Sequence, residues 1–540
     1  MHRSTFLRTC RGLVPLTCLL LIPAAAAAQP AAPPPPVTAP PAAPPPAPPP
    51  PAPAPPMTAP PMTAPPPPPM AQAAPPAPEP APAPAPAPAS NEAPVPFAFG
   101  DFTWLNGYDR RHKALLDTDL VHPIFLADVN YTHSFNRPID QTVVGSTSLF
   151  HDDQIELLDI GIGADLQSAT KGTYMRGKVL LQFGGRSTVI PRNDGSNLKG
   201  QFSLATAYRY LSEAYAGIHF DIPGNAGINV DAGIFMSYIG LFSYFSAENW
   251  SYQPSFTSDN TPWFFNGIRT QIFPSDKLKI EPWIINGWQS YASFNEMPGL
   301  GASILWMPVE SFKLVANNYF GFDEANQPGK FRVHSDESIL VRYFNDPMNP
   351  GLSKGAFSLT GDAGFESGDG VTPFGGSGKE WGPGGAAAGI SGCTDNTPCS
   401  QNFASWMLYN RFWFDQDHIG LTAGGGMMHN DGRYLVLPPA GAAAPGAGPN
   451  GFDTNPGTTF NGWDFSAGLQ WMPNDYYEFL AEFVHRQTDT PYYNGHGGVT
   501  SPNGYNNPPV DNPGAAYPPG WRPDLVKSEN RIIFAFLARL

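Results

Sequence analysis

The chain has 540 residues, 66 of them proline and 55 glycine, only 14% charged, and a formal net charge of −15. That length allows several ordinary domains, but so much proline with so little charge fits a low-complexity tract joined to many short strands and turns. The acidic balance argues against nucleic acid as a partner, and no stretch beyond the amino terminus approaches the run of about 18 apolar residues that a membrane helix needs.

Residues 1–28 read as a secretory signal peptide. Arg3, Arg8 and Arg11 are basic, Leu13 to Ile22 is apolar, and Ala24 to Ala28 offers a small-residue cleavage site. Removing them takes away three of the 30 basic residues and none of the 45 acids, so the mature charge becomes −18. Residues 29–96 form a Pro/Ala tract holding 34 of the prolines. Such a tract buries no core and is expected to be disordered and extended, reaching roughly 200 Å at about 3.1 Å per residue. It is read as a periplasmic tether or spacer, with a cell-wall or periplasmic partner as the sharper alternative. Residues 97–121 are a lead-in.

From His122 onward the apolar period is two. Phe125, Ala127, Val129, Tyr131 and His133 alternate with Leu126, Asp128, Asn130, Thr132 and Ser134. Leu158, Ile160, Ile162 and Ala164 alternate with Asp159, Gly161, Gly163 and Asp165, and Tyr477, Phe479, Ala481 and Phe483 with Glu478, Leu480, Glu482 and Val484. One oily face and one polar face suit a strand with hydrocarbon on one side and water on the other. Seven short turns alternate with eight long loops, roughly 136–154, 184–205, 240–261, 289–298, 322–331, 367–401, 429–459 and 488–526. Three turns share a pattern of Pro followed by an acid, at Pro274-Ser275-Asp276, Pro308-Val309-Glu310 and Pro473-Asn474-Asp475. Fifteen connections make sixteen strands, with 14 or 18 as alternatives. The predicted fold is all-β, a transmembrane antiparallel β-barrel over 122–540, placed in the bacterial outer membrane. Ile532, Phe534 and Phe536 form one face of an amphipathic last strand. The segment Phe403 to Phe414 is oily on both faces, which leaves its inward side open.

Several segments resemble the putative beta-barrel porin-2, OmpL-like family. They are Gly100-Asp101-Phe102-Thr103-Trp104-Leu105-Asn106-Gly107, Ser212-Glu213-Ala214-Tyr215, Asp231-Ala232-Gly233-Ile234-Phe235, Ile239-Gly240, Glu248-Asn249-Trp250-Ser251-Tyr252 and Asn286-Gly287-Trp288. The resemblance spans about 97–540 and implies an outer-membrane pore, without catalytic residues or a defined substrate.

Charged residues opposite the oily face are expected to line the lumen. They are Asp159, Asp165, Arg176, Lys178, Arg209, Glu213, Asp231, Arg269, Lys279, Glu281, Asp464, Glu478, Glu482 and Arg486, either as a merely wetted wall or as a field that sorts solutes. The aromatic loop 240–261 is a candidate constriction through Phe242, Tyr244, Glu248, Trp250 and Tyr252, or else a girdle on the rim. Cys393 and Cys399 are expected to form one loop disulfide. No metal site, cofactor or enzyme motif is found. The reading is a porin-like channel for passive diffusion of small hydrophilic solutes, in contact with outer-membrane lipid. The alternative is a structural or adhesive barrel with a plugged lumen. A homotrimer is an open expectation, and the acidic charge implies weak cation preference.

Overall fold

The computed structural model describes residues 95–540 apart from parts of the connections, the longest being 375–398, 436–458 and 505–522. The leader, nearly all of the proline tract and Cys393 lie outside the described residues. Cys399 starts a short strand, Cys399–Ser400, that pairs with Val371–Thr372.

Sixteen strands close into one barrel. They are β1 (Val121–Ser134), β2 (Ile155–Leu166), β3 (Tyr174–Phe183), β4 (Leu211–Phe220), β5 (Gly227–Met236), β6 (Phe264–Ser275), β7 (Leu278–Ile285), β8 (Gly299–Val309), β9 (Phe312–Gly321), β10 (Phe331–Asn345), β11 (Leu352–Ser367), β12 (Asn402–Phe414), β13 (Ile419–Asp431), β14 (Thr459–Asn474), β15 (Tyr477–Thr488) and β16 (Ser528–Arg539). Each pairs antiparallel with its neighbours, and β1 pairs with β16 from Leu126↔Arg539 to Ser134↔Arg531. Closure leaves no open edge, so backbone N–H and C=O groups bond within the sheet, as a chain in hydrocarbon requires. No helix among the described residues is long and apolar enough to cross a membrane.

The period of two places the oily residues outside. Ile162, Val179, Ile268, Leu300, Leu359, Leu408, Leu469 and Phe534 are all exposed. Rings gather near both ends of this skin, with Trp306 against Phe312 and Trp471 stacked on Phe479 at the short-turn end, and Phe320 near Phe331 at the long-loop end. That is the girdle of a membrane barrel. Leu158 departs from the expected face. A register shift between Asp128 and Val129 makes it the extra residue of a bulge, and it turns inward and is fully buried.

The three prolines of the repeated pattern are not turn residues. Register shifts fall at Ile272/Ser275, Trp306/Val309 and Trp471/Asn474, so Pro274, Pro308 and Pro473 each sit inside a bulge. Proline lacks an N–H, and a bulge is where a strand can spare one. Each bulge ends its strand before a two-residue turn.

Among the outward positions at mid-strand, Glu337 is the charged exception. It is exposed, six residues from Phe331 and six from Tyr343, and paired in register with Ala316 and Gly361. An ionised carboxylate facing hydrocarbon is destabilising, though less so than Arg or Lys. Glu337→Leu is therefore expected to stabilise the barrel by about 1 kcal/mol, read as a higher urea midpoint in lipid vesicles.

Candidate functional site: a lumen half filled by an inward loop

The third long loop, residues 237–263, turns into the barrel rather than over its rim. Two inward carboxylates hold it. Glu482 on β15 accepts hydrogen bonds from the Tyr252 N–H at 2.8 Å, the Gln253 N–H at 3.0 Å and the Ser251 hydroxyl at 3.0 Å. Asp464 on β14 accepts from the Phe256 N–H at 2.7 Å and the Ser255 hydroxyl at 2.8 Å. Arg486 pairs with Asp259 at 3.0 Å and donates to the Pro254 carbonyl at 2.5 Å. Arg411 on β12 donates to the Trp250 carbonyl at 3.2 Å, and the Tyr252 hydroxyl donates to Asp128 on β1 at 2.7 Å. These partners satisfy loop amides and carbonyls that have lost contact with water, which would otherwise be costly.

The lead-in reaches the same loop from the short-turn end. Phe97 donates its N–H to the Asp276 carbonyl at 2.8 Å, and the Trp104 ring N–H bonds the Glu310 carbonyl at 3.2 Å, both in short turns. Arg110 donates to the Asn474 and Tyr477 carbonyls. Inside the mouth, the Trp250 N–H bonds Asn106 Oδ1 at 2.8 Å, and its indole N–H bonds the Trp104 carbonyl at 3.0 Å. Gly107 and Tyr108 donate to the Glu248 carbonyl, and the Glu248 carboxylate pairs with Arg539 on β16. Gly107 has φ +70°, and a Cβ there would lie 2.2 Å from the Leu241 carbonyl oxygen, so the contact needs glycine. Two segments of the family resemblance, 100–107 and 248–252, thus meet each other.

Around this meeting lies an apolar cluster within the barrel. Phe102, Trp104, Leu105, Leu241, Phe242 and Trp250 pack on Leu340, Met407, Tyr409, Trp413 and Met472 of the wall. Tyr409 and Trp413 therefore face inward, while Trp406 and Leu408 are exposed outside. The strand from Asn402 to Phe414 is oily on both faces because one belongs to the exposed outer skin and the inner cluster covers the other. Phe242 meets Tyr409 edge-on at 5.1 Å, and the Tyr244 hydroxyl bonds Gln182 at 2.5 Å.

The candidate lumen residues divide into two groups. Asp464, Glu478, Glu482 and Arg486 lie under the loop and the lead-in. Gln470 donates to Glu478, and Arg110 stands 3.7 Å from it. Asp159 is buried opposite Asp128 in register, and Arg186 from the second long loop bonds Asp128 at 3.4 Å. The second group lies on β2 to β7. Asp165 sits opposite Lys178 in register, and Lys178 pairs with Glu213. Arg176 stands 3.7 Å from Asp231, which also pairs with Arg269 at 2.8 Å. Lys279 pairs with Glu281 at 2.6 Å. Arg269 lies over the rings of Phe235 at 4.5 Å and Tyr215 at 4.9 Å. A cavity of about 320 Å³ runs between this wall and loop residues Ile239 to Tyr244, and it also touches Lys313 and Ser338 of β9 and β10.

Arg209 corrects the expectation. It follows a short helix (Leu204–Tyr208), precedes β4, and donates to Thr188 at 3.1 Å. The strand period does not extend to it, because the backbone there is a helical turn. Lys313 was missed. It lies on the inward side of β9, two residues before Val315, which is in register with Leu305 and through it with Lys279.

Among the described residues, one grouping of metal-ligand types occurs, His133, Asp152 and Asp153 at the long-loop rim. Its groups already serve each other and the backbone: His133 bonds Asp153 at 2.7 Å, and Asp152 accepts the Ser134 N–H at 2.5 Å.

Against known proteins, the model of the family described as "Putative beta-barrel porin-2, OmpL-like" matches residues 126–381. The family match is direct over that stretch. It starts within β1 and ends beyond β11, so it is shorter than the resemblance read from the sequence and leaves out segment 100–107. The closed barrel and its apolar skin agree with that similarity. Solved structures similar to the chain include outer-membrane-expressed OmpT of Vibrio cholerae, with 9% identity, a TM-score of 0.44, and 79% of this chain and 100% of that one covered. The outer membrane channel DcaP of Acinetobacter baumannii has 10% identity, a TM-score of 0.41, and 79% and 99% covered. An anion-selective porin from Comamonas acidovorans has 6% identity, a TM-score of 0.42, and 78% and 99% covered. No curated protein sequence matches the chain significantly.

Glu482→Ala removes the acceptor of two loop amides. The expected loss is about 2 kcal/mol of local stability, since hydrogen bonds to a charged group lie in this range. Hydrogen exchange at Tyr252 and Gln253 should quicken by roughly thirtyfold, with β-strand amides unchanged.

Proposed function

We propose that the chain is a narrow porin-type channel for passive diffusion of small hydrophilic solutes, with its path along β3 to β10. The observation that carries this reading is the unequal filling of the lumen. The inward loop and the lead-in take up one side with hydrogen bonds and an apolar cluster, while the opposite wall keeps its ion-paired side chains around a cavity. Paired charges across a water-filled bore present a fixed field without an unpaired buried charge on most of the wall. In this reading the chain is not catalytic, it stands in outer-membrane lipid, and the proline tract is a periplasmic spacer. A homotrimer is the assembly to be tested by mass in detergent. Purified protein in a planar bilayer is expected to give small, stepwise conductance.

A second reading has its own support. The lead-in crosses the short-turn mouth from Asp276 to Asp475, which supports a plugging role. A barrel whose reconstitution is verified by heat-modifiable gel mobility, and which carries no current, would be structural or adhesive.

The lead-in also gives a pH dependence. Burial alone would raise the Asp109 carboxyl, but the hydrogen bonds from Arg111 and the charge of Arg539 hold it below the ordinary carboxylate range. Arg539 stands 3.0 Å away. A lowered carboxyl stabilises the docked state above the usual Asp value of about 4, and that stabilisation is lost as pH falls through the lower, docked value. Conductance is therefore expected to rise on acidification below about pH 4, and Asp109→Asn should show the higher level already at neutral pH. A flat profile in both proteins would remove this role of the lead-in.

A further inference from the structure

The cavity beside the loop is lined by five charged side chains, Glu213, Glu281, Arg269, Lys279 and Lys313. Both acids are already engaged. Glu213 is bound by Lys178, and Glu281 by Lys279 at 2.6 Å and by the Gln271 amide at 2.8 Å. Arg269 is answered by Asp231 at 2.8 Å. Lys313 is different. Among the described residues it has neither an ion pair nor a hydrogen bond, and the charged group acting on it is Lys279, of the same sign. It sits within the bore and is half-buried, between the wall and the inward loop.

An ammonium held in a narrow site without a counter-charge attracts a mobile one. The neighbours suit an anion. Lys279, itself paired with Glu281, adds a second ammonium, Ser303 and Ser338 bring hydroxyls to the same cavity wall, the latter sharing a hydrogen bond with Thr360, and both acids there are paired.

We propose that Lys313, with Lys279 beside it, forms an anion site in the channel, and that the pore prefers small inorganic or carboxylate anions. This rests on the channel reading above and adds its solute class. It reverses the weak cation preference that the overall charge implied. The chain is acidic as a whole, but the excess positive charge lies where solutes would pass.

The test uses purified protein in a planar bilayer under a KCl gradient. The reversal potential should report chloride preferred over potassium, and inorganic phosphate at fixed ionic strength should reduce the chloride current. Lys313→Gln is expected to lower the chloride-to-potassium permeability ratio by about fivefold, the scale of one unit charge acting across a wet bore, and to abolish the phosphate effect. Lys313→Glu should turn the preference to cations. Heat-modifiable gel mobility verifies that each variant is folded. A wild-type pore that conducts but prefers cations, or a Lys313→Gln pore with unchanged selectivity, overturns the anion site and leaves the channel standing. Absence of current from folded protein overturns the channel instead. The anion site is then decided in detergent. Phosphate that raises the unfolding temperature of wild type but not of Lys313→Gln supports it, and phosphate without effect on either overturns it.

Discussion

Glu482 receives two backbone N–H groups and a hydroxyl from three successive residues of the inward loop, and Asp464 receives two more donors a few residues on. A loop inside a barrel gives up water at each amide, and each amide needs a replacement acceptor. A carboxylate serves better than a neutral oxygen, because hydrogen bonds to an ionised acceptor are stronger. These two acids thus fix where the loop lies, and the loop in turn decides which part of the lumen is filled by protein and which is left as a cavity. The remaining features follow from that placement: the apolar inner face on β12, the seat of the lead-in, and the cavity lined by β4 to β10.

The wall shows both demands at once. Outside, β10 reads Phe331, Val333, Ser335, Glu337, Ile339, Val341 and Tyr343; inside, it reads Arg332, His334, Asp336, Ser338, Leu340 and Arg342. Leu340 is fully buried because Trp104 and Leu105 of the lead-in group belong to the same cluster. Above it, Asp336 receives the Gly240 N–H of the loop. A single strand therefore carries outer skin, loop anchorage and lead-in contact on its successive residues.

Strand count, skin and connection lengths were legible because each depends on a local period. Phe125, Ala127, Val129 and Tyr131 alternate as a membrane wall must, and nothing distant alters that. Arg209 was misplaced because the same period was carried two residues past the start of β4, into a helical turn. Which inward acids would be covered could not be read locally. Glu482 and Tyr252 are 230 residues apart, and their meeting obeys no spacing rule. A signal was present all the same. Met407, Tyr409 and Trp413 on the inner face, with Leu480 and Val484 on β15, are too oily for a wet wall, and an apolar lumen patch implies that some segment of the chain covers it. In the sequence Asn106 and Trp250 stand out only within segments of the family resemblance, and the hydrogen bond between them supplies the physical reason for both.

Loop and lead-in form one unit held from two sides. Trp250 takes its backbone acceptor from Asn106 and its indole acceptor from Trp104, while Glu248 is shared between two lead-in amides and Arg539. Removing the lead-in would strip these partners from the loop, leaving buried donors unpaired at a cost of roughly 1–3 kcal/mol each. The loop would still hold Glu482 and Asp464, because those bonds lie farther up the bore on β15 and β14. The loop's anchorage is thus graded, firm against the wall and conditional at the mouth. The lead-in's other ties lie toward the short-turn end: hydrogen bonds to Glu310, Asn474, Tyr477 and Asp475, and ion pairs of Arg110 with Glu478 and of Asp109 with Arg539. Of the two segments, the lead-in is the one whose release would change the bore without dismantling it.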